Sequence, residues 1–161
     1  MTAATIAALT TFAAVFIALL AAHSVGDHLI QTHHQACTKG APGLVGRLAC
    51  LRHVVTLTAT KVGALVALIL VAGLRPPLLA TAVALAVDAA SHYWADRSAP
   101  HPDRTQAVTL ERLAKALRKG GFYQLGDRML APTGTGAYAL DQSWHIGWLF
   151  ITALIIAGGA S

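Results

Sequence analysis

Three pairs of histidine and aspartate in this chain share a spacing that could support metal chemistry. The pairs are His23 with Asp27, His92 with Asp96 and, in reverse order, Asp141 with His145. Residues four apart lie on one face of a helix, one turn from each other. Imidazole and carboxylate ligands suit zinc, and also iron or manganese. The pattern therefore predicts a site for a divalent transition metal, with zinc as the first choice.

The predicted metal ligands are the members of these pairs and one further histidine: His23, Asp27, His53, His92, Asp96, Asp141 and His145. Asp27 and Asp141 are also the candidate catalytic residues, because a carboxylate beside a metal can take a proton from an attacking water. Three or four ligands complete a zinc site. Seven candidates therefore fit two adjacent sites, or one site with its supporting partners. Without a metal, they would form a proton relay or a hydrogen-bonded plug.

The composition indicates what kind of protein must hold these residues. Only 12% of the 161 residues are Asp, Glu, Lys or Arg, about half the share in an ordinary soluble domain. The hydrophobic share is 55% and the mean hydropathy is +0.58. These values exclude a soluble domain, a disordered chain, a coiled coil and a disulfide scaffold. We expect one domain over residues 1–161, an all-α, polytopic membrane four-helix bundle.

Four apolar runs predict the membrane spans, at about residues 3–28, 48–74, 78–96 and 140–157. No basic residue precedes the long first run, which favours a retained helix over a cleaved signal peptide. Between the last two runs, leucines at helical spacing in 109–119 predict a short amphipathic helix that ends at Gly120. This helix either lies on the membrane surface or forms a solvated linker.

The basic residues predict which side of the membrane each loop faces. Most of the 12 Lys and Arg residues lie in loops 31–49 and 97–139, whereas Arg75 is alone between the second and third spans. Basic loops face the cytoplasm, so we expect both of these loops to be cytoplasmic and both termini to be outside. Loop 97–139 would contact anionic lipid headgroups. No specific nucleic-acid partner is expected, and a homo-oligomer is left open.

The predicted ligands converge at one depth in the membrane. Each lies near the cytoplasmic end of its span, roughly 20–31 Å from the outer end at 1.5 Å per residue. Two charges lie deeper, Lys61 and Asp88. Because an unpaired buried charge is costly, we predict that these two form a structural ion pair. In the alternative, Asp88 extends a helical stripe with His92 and Asp96.

Other polar residues carry weaker signals. His33 and His34 form either a solvated run or an aid to metal loading, and the sequence assigns no role to these two residues or to His28. Cys37 and Cys50 are not in a Cys-x-x-Cys motif and would face a reducing cytoplasm. We therefore expect both to be free thiols.

The order of these motifs resembles a known family. The chain reads His23-Ser-Val-Gly26-Asp27-His28-Leu-Ile-Gln31, then Lys39, then His53, then His92-Tyr-Trp-Ala-Asp96-Arg97, then Asp141-Gln142-Ser-Trp-His145. This order is similar to the domain of unknown function 3307 family, small integral membrane proteins of bacteria and their phages. The resemblance covers nearly the whole chain and implies a bacterial inner-membrane protein, in a family whose activity is not established. A looser similarity to predicted inner-membrane metal-dependent hydrolases implies a hydrolase by analogy.

The favoured hypothesis is a metal-dependent hydrolase that acts at the cytoplasmic membrane interface on a lipid-like or phosphoester substrate. Lipid headgroups and water both reach the depth of the predicted ligands. An ion or proton transporter is the first alternative, but the outer halves of the four spans carry almost no polar residues. The second is a non-enzymatic membrane module that recruits a partner through its basic loop. A bis-histidine haem bundle is less favoured, because haem ligation does not use the aspartates.

Overall fold

The computed structural model describes residues 1–98, 109–126 and 134–159. Over these ranges the chain is helical and contains no strand, which confirms the all-α class. The helices are α1 (Ala3–Val25), α2 (His33–Thr38), α3 (Gly43–Ala72), α4 (Leu78–Asp96), α5 (Thr109–Ala116), α6 (Gly120–Tyr123) and α7 (Gly136–Gly158). A π-helical turn, Gly26–Ile30, continues α1. With this turn included, α1, α3, α4 and α7 are each long and apolar enough to cross a membrane.

The four long helices form a bundle in which α1 and α4 each pack against both α3 and α7. The apolar core of the bundle includes Val15, Leu19, Leu65, Leu149 and Ile156, all of them buried. Only 17–33% of the most apolar window in each long helix is buried inside the bundle. The outward faces are therefore largely apolar as well, as a bundle surrounded by lipid requires.

Two of the spans begin earlier than hydropathy predicts. α3 begins at Gly43 rather than near residue 48, and α7 begins at Gly136 rather than near residue 140. Arg47 lowers the hydropathy of the first turn of α3 without breaking the helix. At the start of α7, the Thr135 side chain accepts a hydrogen bond from the Tyr138 N–H and caps the helix. The two extra turns extend the bundle at the end that carries the predicted ligands.

The amphipathic segment differs from the prediction at its end. α5 stops at Ala116, and Gly120, which was expected to end the helix, begins α6 instead. Leu110 of α5 packs with Tyr123 of α6 and Ala137 of α7, so the two short helices are held against the start of α7. The remaining parts of the predicted basic loop, residues 99–108 and 127–133, lie outside the described residues.

A buried ion pair joins α3 to α4 within the bundle. Lys61 Nζ donates to Asp88 Oδ2 at 2.5 Å, and both side chains are buried. The connection between these helices is short: Gly73, with a φ of 68°, ends α3, and Pro77 precedes α4. Lys61 and Asp88 are therefore similarly far from the turn on antiparallel helices. This is the pairing predicted from the sequence.

Removing one partner of this pair should destabilise the bundle. Lys61→Met should lower the free energy of unfolding by about 3–5 kcal/mol, because it leaves the Asp88 charge buried without a partner. The double variant Lys61→Met, Asp88→Leu should recover most of that loss. Unfolding in mixed detergent and SDS micelles measures both.

The matched control for this experiment is Lys115→Met, which removes a more exposed pair with Glu111. It should change the free energy of unfolding by less than about 1 kcal/mol. A Lys61→Met protein as stable as this control would contradict the structural role of the pair.

Candidate metal centre

The structure brings the seven predicted ligands together at one end of the bundle. They are His23 of α1, Asp27 of the π-helical turn, His53 of α3, His92 and Asp96 of α4, and Asp141 and His145 of α7. The four histidines and Asp96 are buried, whereas Asp27 and Asp141 are partly exposed. All four long helices thus contribute at least one side chain, as predicted from the shared depth.

The π-helical turn orients Asp27 between two helices. The turn is closed by the N–H of Gln31, which donates to the carbonyl of Gly26, five residues earlier, at 2.9 Å. Asp27 Oδ2 lies 3.4 Å from His23 Nε2 on its own helix, and Oδ1 lies 3.1 Å from His53 Nε2 on α3. Gly26 has no side chain and so leaves room for Leu57. A Cβ at position 26 would lie 2.2 Å from the Leu57 side chain. Turns of this kind occur often at functional sites.

Four ligand atoms converge where α1, α3 and α4 meet. His53 Nε2 lies 3.1 Å from His92 Nε2, 3.1 Å from Asp27 Oδ1 and 3.2 Å from Asp96 Oδ2. His92 Nε2 lies 3.2 Å from the same Asp96 oxygen and 3.7 Å from Asp27 Oδ1. Ligands at about 2.0–2.1 Å from a tetrahedral zinc ion are about 3.3 Å apart. Five of the six separations among Asp27, His53, His92 and Asp96 are the ones given above, and they are close to that value. Asp27, His53 and His92 form one group with metal-ligand spacing. We call these three residues and Asp96 the primary group.

His145 and Asp141 of α7 lie beside the primary group at longer distances. The His145 ring stacks on His92 with centroids 3.9 Å apart, and the three residues His92, Asp96 and His145 form a second group with metal-ligand spacing. His145 Nε2 is 4.0 Å from Asp96 Oδ1 and 3.6 Å from Asp141 Oδ1. The His23 ring lies near both of these rings, with its centroid 5.1 Å from that of His145 and 5.5 Å from that of His92. His23, Asp141 and His145 therefore lie beside the primary group.

Several buried polar atoms of the centre have no hydrogen-bond partner among the described residues. They include both ring nitrogens of His23, Nδ1 of His53, Oδ1 of Asp27, Oδ2 of Asp96 and Nε2 of His145. Some lie within ionic contact of one another, but without the angles of a hydrogen bond. Each unsatisfied buried group costs about 1–3 kcal/mol, and native proteins rarely leave one. A cation would satisfy the acceptor atoms that face it, so the residues present fit a metal ion.

Lys39 contacts the centre and was missed as a site residue by the sequence analysis. Its Nζ donates to Asp96 Oδ1 at 2.8 Å, and its side chain is 14% exposed. Burial alone would lower the pKa of Lys39, but the charge and hydrogen bond of Asp96 outweigh it and raise the pKa above its ordinary value. Lys39 is therefore a cation. In the sequence Lys39 counted toward membrane topology and toward the motif order of the family resemblance, and its place between the His/Asp motifs was the available signal.

The turn that carries Lys39 is held by two other elements. Arg97, at the end of α4, donates from Nη1 to the carbonyls of Lys39 and Ala41, at 2.6 and 2.8 Å. Gly46 in the first turn of α3 permits this packing, because a Cβ there would lie 2.0 Å from the Ala41 carbonyl oxygen and 2.5 Å from Arg97 Nη1. The position of the Lys39 ammonium thus depends on a glycine and an arginine from two long helices.

His28 joins α1 to α7 at the exposed edge of the centre. Its Nδ1 lies 2.9 Å from the Ser24 carbonyl, and its Nε2 lies 2.9 Å from the Tyr138 hydroxyl. A carbonyl only accepts, so in the neutral ring Nδ1 carries the proton and Tyr138 donates its hydroxyl proton to Nε2. His28 is therefore a bridge between helices.

The other uncertain residues lie in or near α2. His33 and His34 are exposed, and His33 Nε2 is 3.5 Å from Cys37 Sγ. Neither histidine belongs to a metal-ligand group in the part of the chain that the structure describes. Cys37 and Cys50 are free thiols, as predicted.

Comparison of this chain with protein-family models, curated proteins and solved structures gave no match. The resemblance to the domain of unknown function 3307 family and the looser one to metal-dependent hydrolases therefore stay predictions based on the short motifs. The chemistry of the centre has to be inferred from its own geometry.

Two glycines of α3 test the packing that holds Lys39. Gly46→Ala should lower the free energy of unfolding by about 1–3 kcal/mol, because the new methyl group must displace the Ala41 carbonyl and Arg97. The matched control is Gly63→Ala, whose added methyl group would have no neighbouring atom of the described chain within 4 Å. It should leave stability unchanged or raise it by up to about 1 kcal/mol. Thermal unfolding in one detergent compares the two, and equal stabilities would contradict the close packing at Gly46.

Proposed function

We propose that this protein binds a divalent transition metal in the membrane and uses it as a hydrolase on a lipid-like or phosphoester substrate. The observation that carries the proposal is the primary group, Asp27, His53, His92 and Asp96. Two imidazole nitrogens and two carboxylate oxygens from three helices lie 3.1–3.7 Å apart in the contacts measured among them. Two of these oxygens are buried without a hydrogen-bond partner in the described chain.

The charges around the centre support one divalent ion. Asp27, Asp96 and Asp141 bring three carboxylates, and Lys39 brings one ammonium group into contact with Asp96. With neutral histidines, this leaves two negative charges in a largely buried site. Buried charge is costly unless it is compensated, and a divalent cation compensates it fully. Two histidines and two carboxylates suit zinc first, with iron or manganese as alternatives.

The two candidate catalytic carboxylates differ in what they are placed to do. A bound ion would lower the pKa of a water molecule toward about 7 and polarise a substrate oxygen. Asp27 is 9% exposed and contacts His53 in the primary group, which suits a ligand. Asp141 is 28% exposed and contacts His145 beside that group. Asp141 is therefore the better candidate for the base that accepts the proton of the attacking water.

The proposed location is a bacterial inner membrane, with both termini outside and the centre at the cytoplasmic interface. The excess of basic residues in the loops near the centre supports this orientation. On α5, α6 and the turn between them, exposed Leu117 and Phe122 accompany Lys115 and Lys119. Apolar and basic side chains together favour a surface of anionic lipid headgroups.

A transporter has less support than a hydrolase. Deeper in the bundle than the centre, Lys61 and Asp88 bind each other, and the surrounding core is apolar. A permeation path would need polar groups that continue to the opposite side of the membrane. A non-enzymatic module would recruit a partner through the basic loop, part of which lies outside the described residues.

The metal content of the purified protein tests the first half of the proposal. Wild-type protein purified in detergent without chelator should hold about one equivalent of a divalent transition metal. His53→Ala and His92→Ala should each hold less than about 0.3 equivalents, because each removes a nitrogen of the primary group. The matched controls His33→Ala and His34→Ala should keep the wild-type content. Elemental analysis measures all five proteins, and a wild type below about 0.3 equivalents would overturn the proposal.

Hydrolysis of a chromogenic phosphodiester in mixed micelles tests the second half. Asp141→Asn should reduce kcat by about 10²–10⁴-fold, because the amide cannot accept the proton of the attacking water. Its metal content should stay at the wild-type level, since Asp141 lies outside the primary group. Glu111→Gln removes an acid of α5 and serves as the matched control. Full activity in Asp141→Asn would exclude Asp141 as the base.

A further inference from the structure

The contact between Lys39 and Asp96 places a cation directly against the primary group. Asp96 Oδ2 faces His53 and His92, while its other oxygen, Oδ1, accepts from Lys39 Nζ at 2.8 Å. One carboxylate therefore separates the ammonium group from the two imidazole nitrogens.

Lys39 has hydrogen-bonding capacity left over. An ammonium group has three N–H donors, and within the described chain one of them is used, in the bond to Asp96. Its side chain is partly exposed, at 14%, whereas those of His53 and Asp96 are 0% and 2% exposed. Of these three side chains, that of Lys39 is the most exposed.

The backbone around Lys39 is fixed more firmly than charge compensation alone requires. A lysine on a flexible loop could neutralise Asp96 equally well. Here Arg97 donates to the carbonyls on both sides of the turn, and Gly46 lets that turn pack against α3. Fixing a donor before the ligand arrives reduces the entropy lost on binding. This arrangement is typical of a residue that positions a ligand.

We infer that Lys39 is an anion-binding residue of the centre and that Arg97 is its positioning residue. The ligand is a phosphate-type oxyanion. Two N–H donors of Lys39 hold it, while the remaining N–H donor stays bound to Asp96. This inference rests on the proposed function, because a divalent ion must first offset the negative charge of Asp27 and Asp96 before an anion can approach. The oxyanion belongs either to a lipid headgroup or to a water-soluble phosphate.

The test uses Mn²⁺-loaded full-length protein in neutral detergent micelles with two phosphorus probes, inorganic phosphate and phosphatidylglycerol. Bound Mn²⁺ shortens the ³¹P relaxation time of a phosphate that binds beside it, and the two probes have separate ³¹P signals. Wild-type protein should shorten the relaxation of at least one probe. Lys39→Met should weaken that probe's affinity by about 10-fold or more, because a charged hydrogen bond is lost. Lys39→Arg should retain most of it.

Metal content measured on the same samples separates the outcomes. A response of phosphatidylglycerol alone assigns the site to a lipid headgroup, and a response of inorganic phosphate assigns it to soluble phosphates. Arg75→Gln removes an exposed basic residue in the connection between α3 and α4. It is the control for the loss of a cation elsewhere and should behave as wild type. If Lys39→Met keeps both its Mn²⁺ and the wild-type probe affinity, or if it loses Mn²⁺ together with the probe, Lys39 is not the anion-binding residue. A wild type that binds no Mn²⁺ overturns the proposed function and this inference with it.

Arg97 is tested by the same measurement. Arg97→Gln should weaken probe affinity less than Lys39→Met does and should leave the Mn²⁺ content unchanged, because the ammonium group remains but its turn is less constrained. Arg97→Lys should restore part of the affinity, since it can still donate to one carbonyl. An unchanged affinity in Arg97→Gln would remove Arg97 from this role.

Discussion

The carboxylate of Asp96 is the constraint around which the centre is built. It is buried at the end of α4, where one oxygen faces His53 and His92 and the other accepts from Lys39. A fully buried carboxylate is stable only when its charge is compensated from several sides. The packing of α3 against α4 brings His53 to it, and the turn after α2 brings Lys39. The position of this one group therefore relates three elements that are far apart in the chain.

The sequence predicted the parts of this arrangement that depend on helical periodicity and hydropathy. Four apolar runs gave the four long helices, and the spacing of His92 and Asp96 placed both on one face of α4. The antiparallel order of the spans then placed His53 and Asp27 at the same depth. The Lys61–Asp88 pair followed from the high cost of an isolated charge in an apolar bundle. These inferences need only the rise per residue and the sign of each charge.

The features of the centre that the sequence did not predict depend on the backbone geometry between helices. Hydropathy contains no information about the Thr135 cap or about the π-helical turn that orients Asp27. Lys39 lies in a polar loop, where a lysine is ordinary, and its role depends on the approach of Arg97 and Gly46 from other helices. Local sequence cannot reveal which loop residue a tertiary contact will place against a buried acid.

The ion pair inside the bundle has a consequence for how the chain enters the membrane. During synthesis α3 would be complete before α4, and Lys61 would then meet lipid without Asp88. A lone charge at the centre of a transmembrane helix costs about 2.5–3.5 kcal/mol on insertion scales. The short turn at Gly73 and Pro77 allows the two helices to enter as a hairpin with the charges already joined. The pair thereby favours cooperative insertion of α3 and α4 over stepwise insertion of each helix.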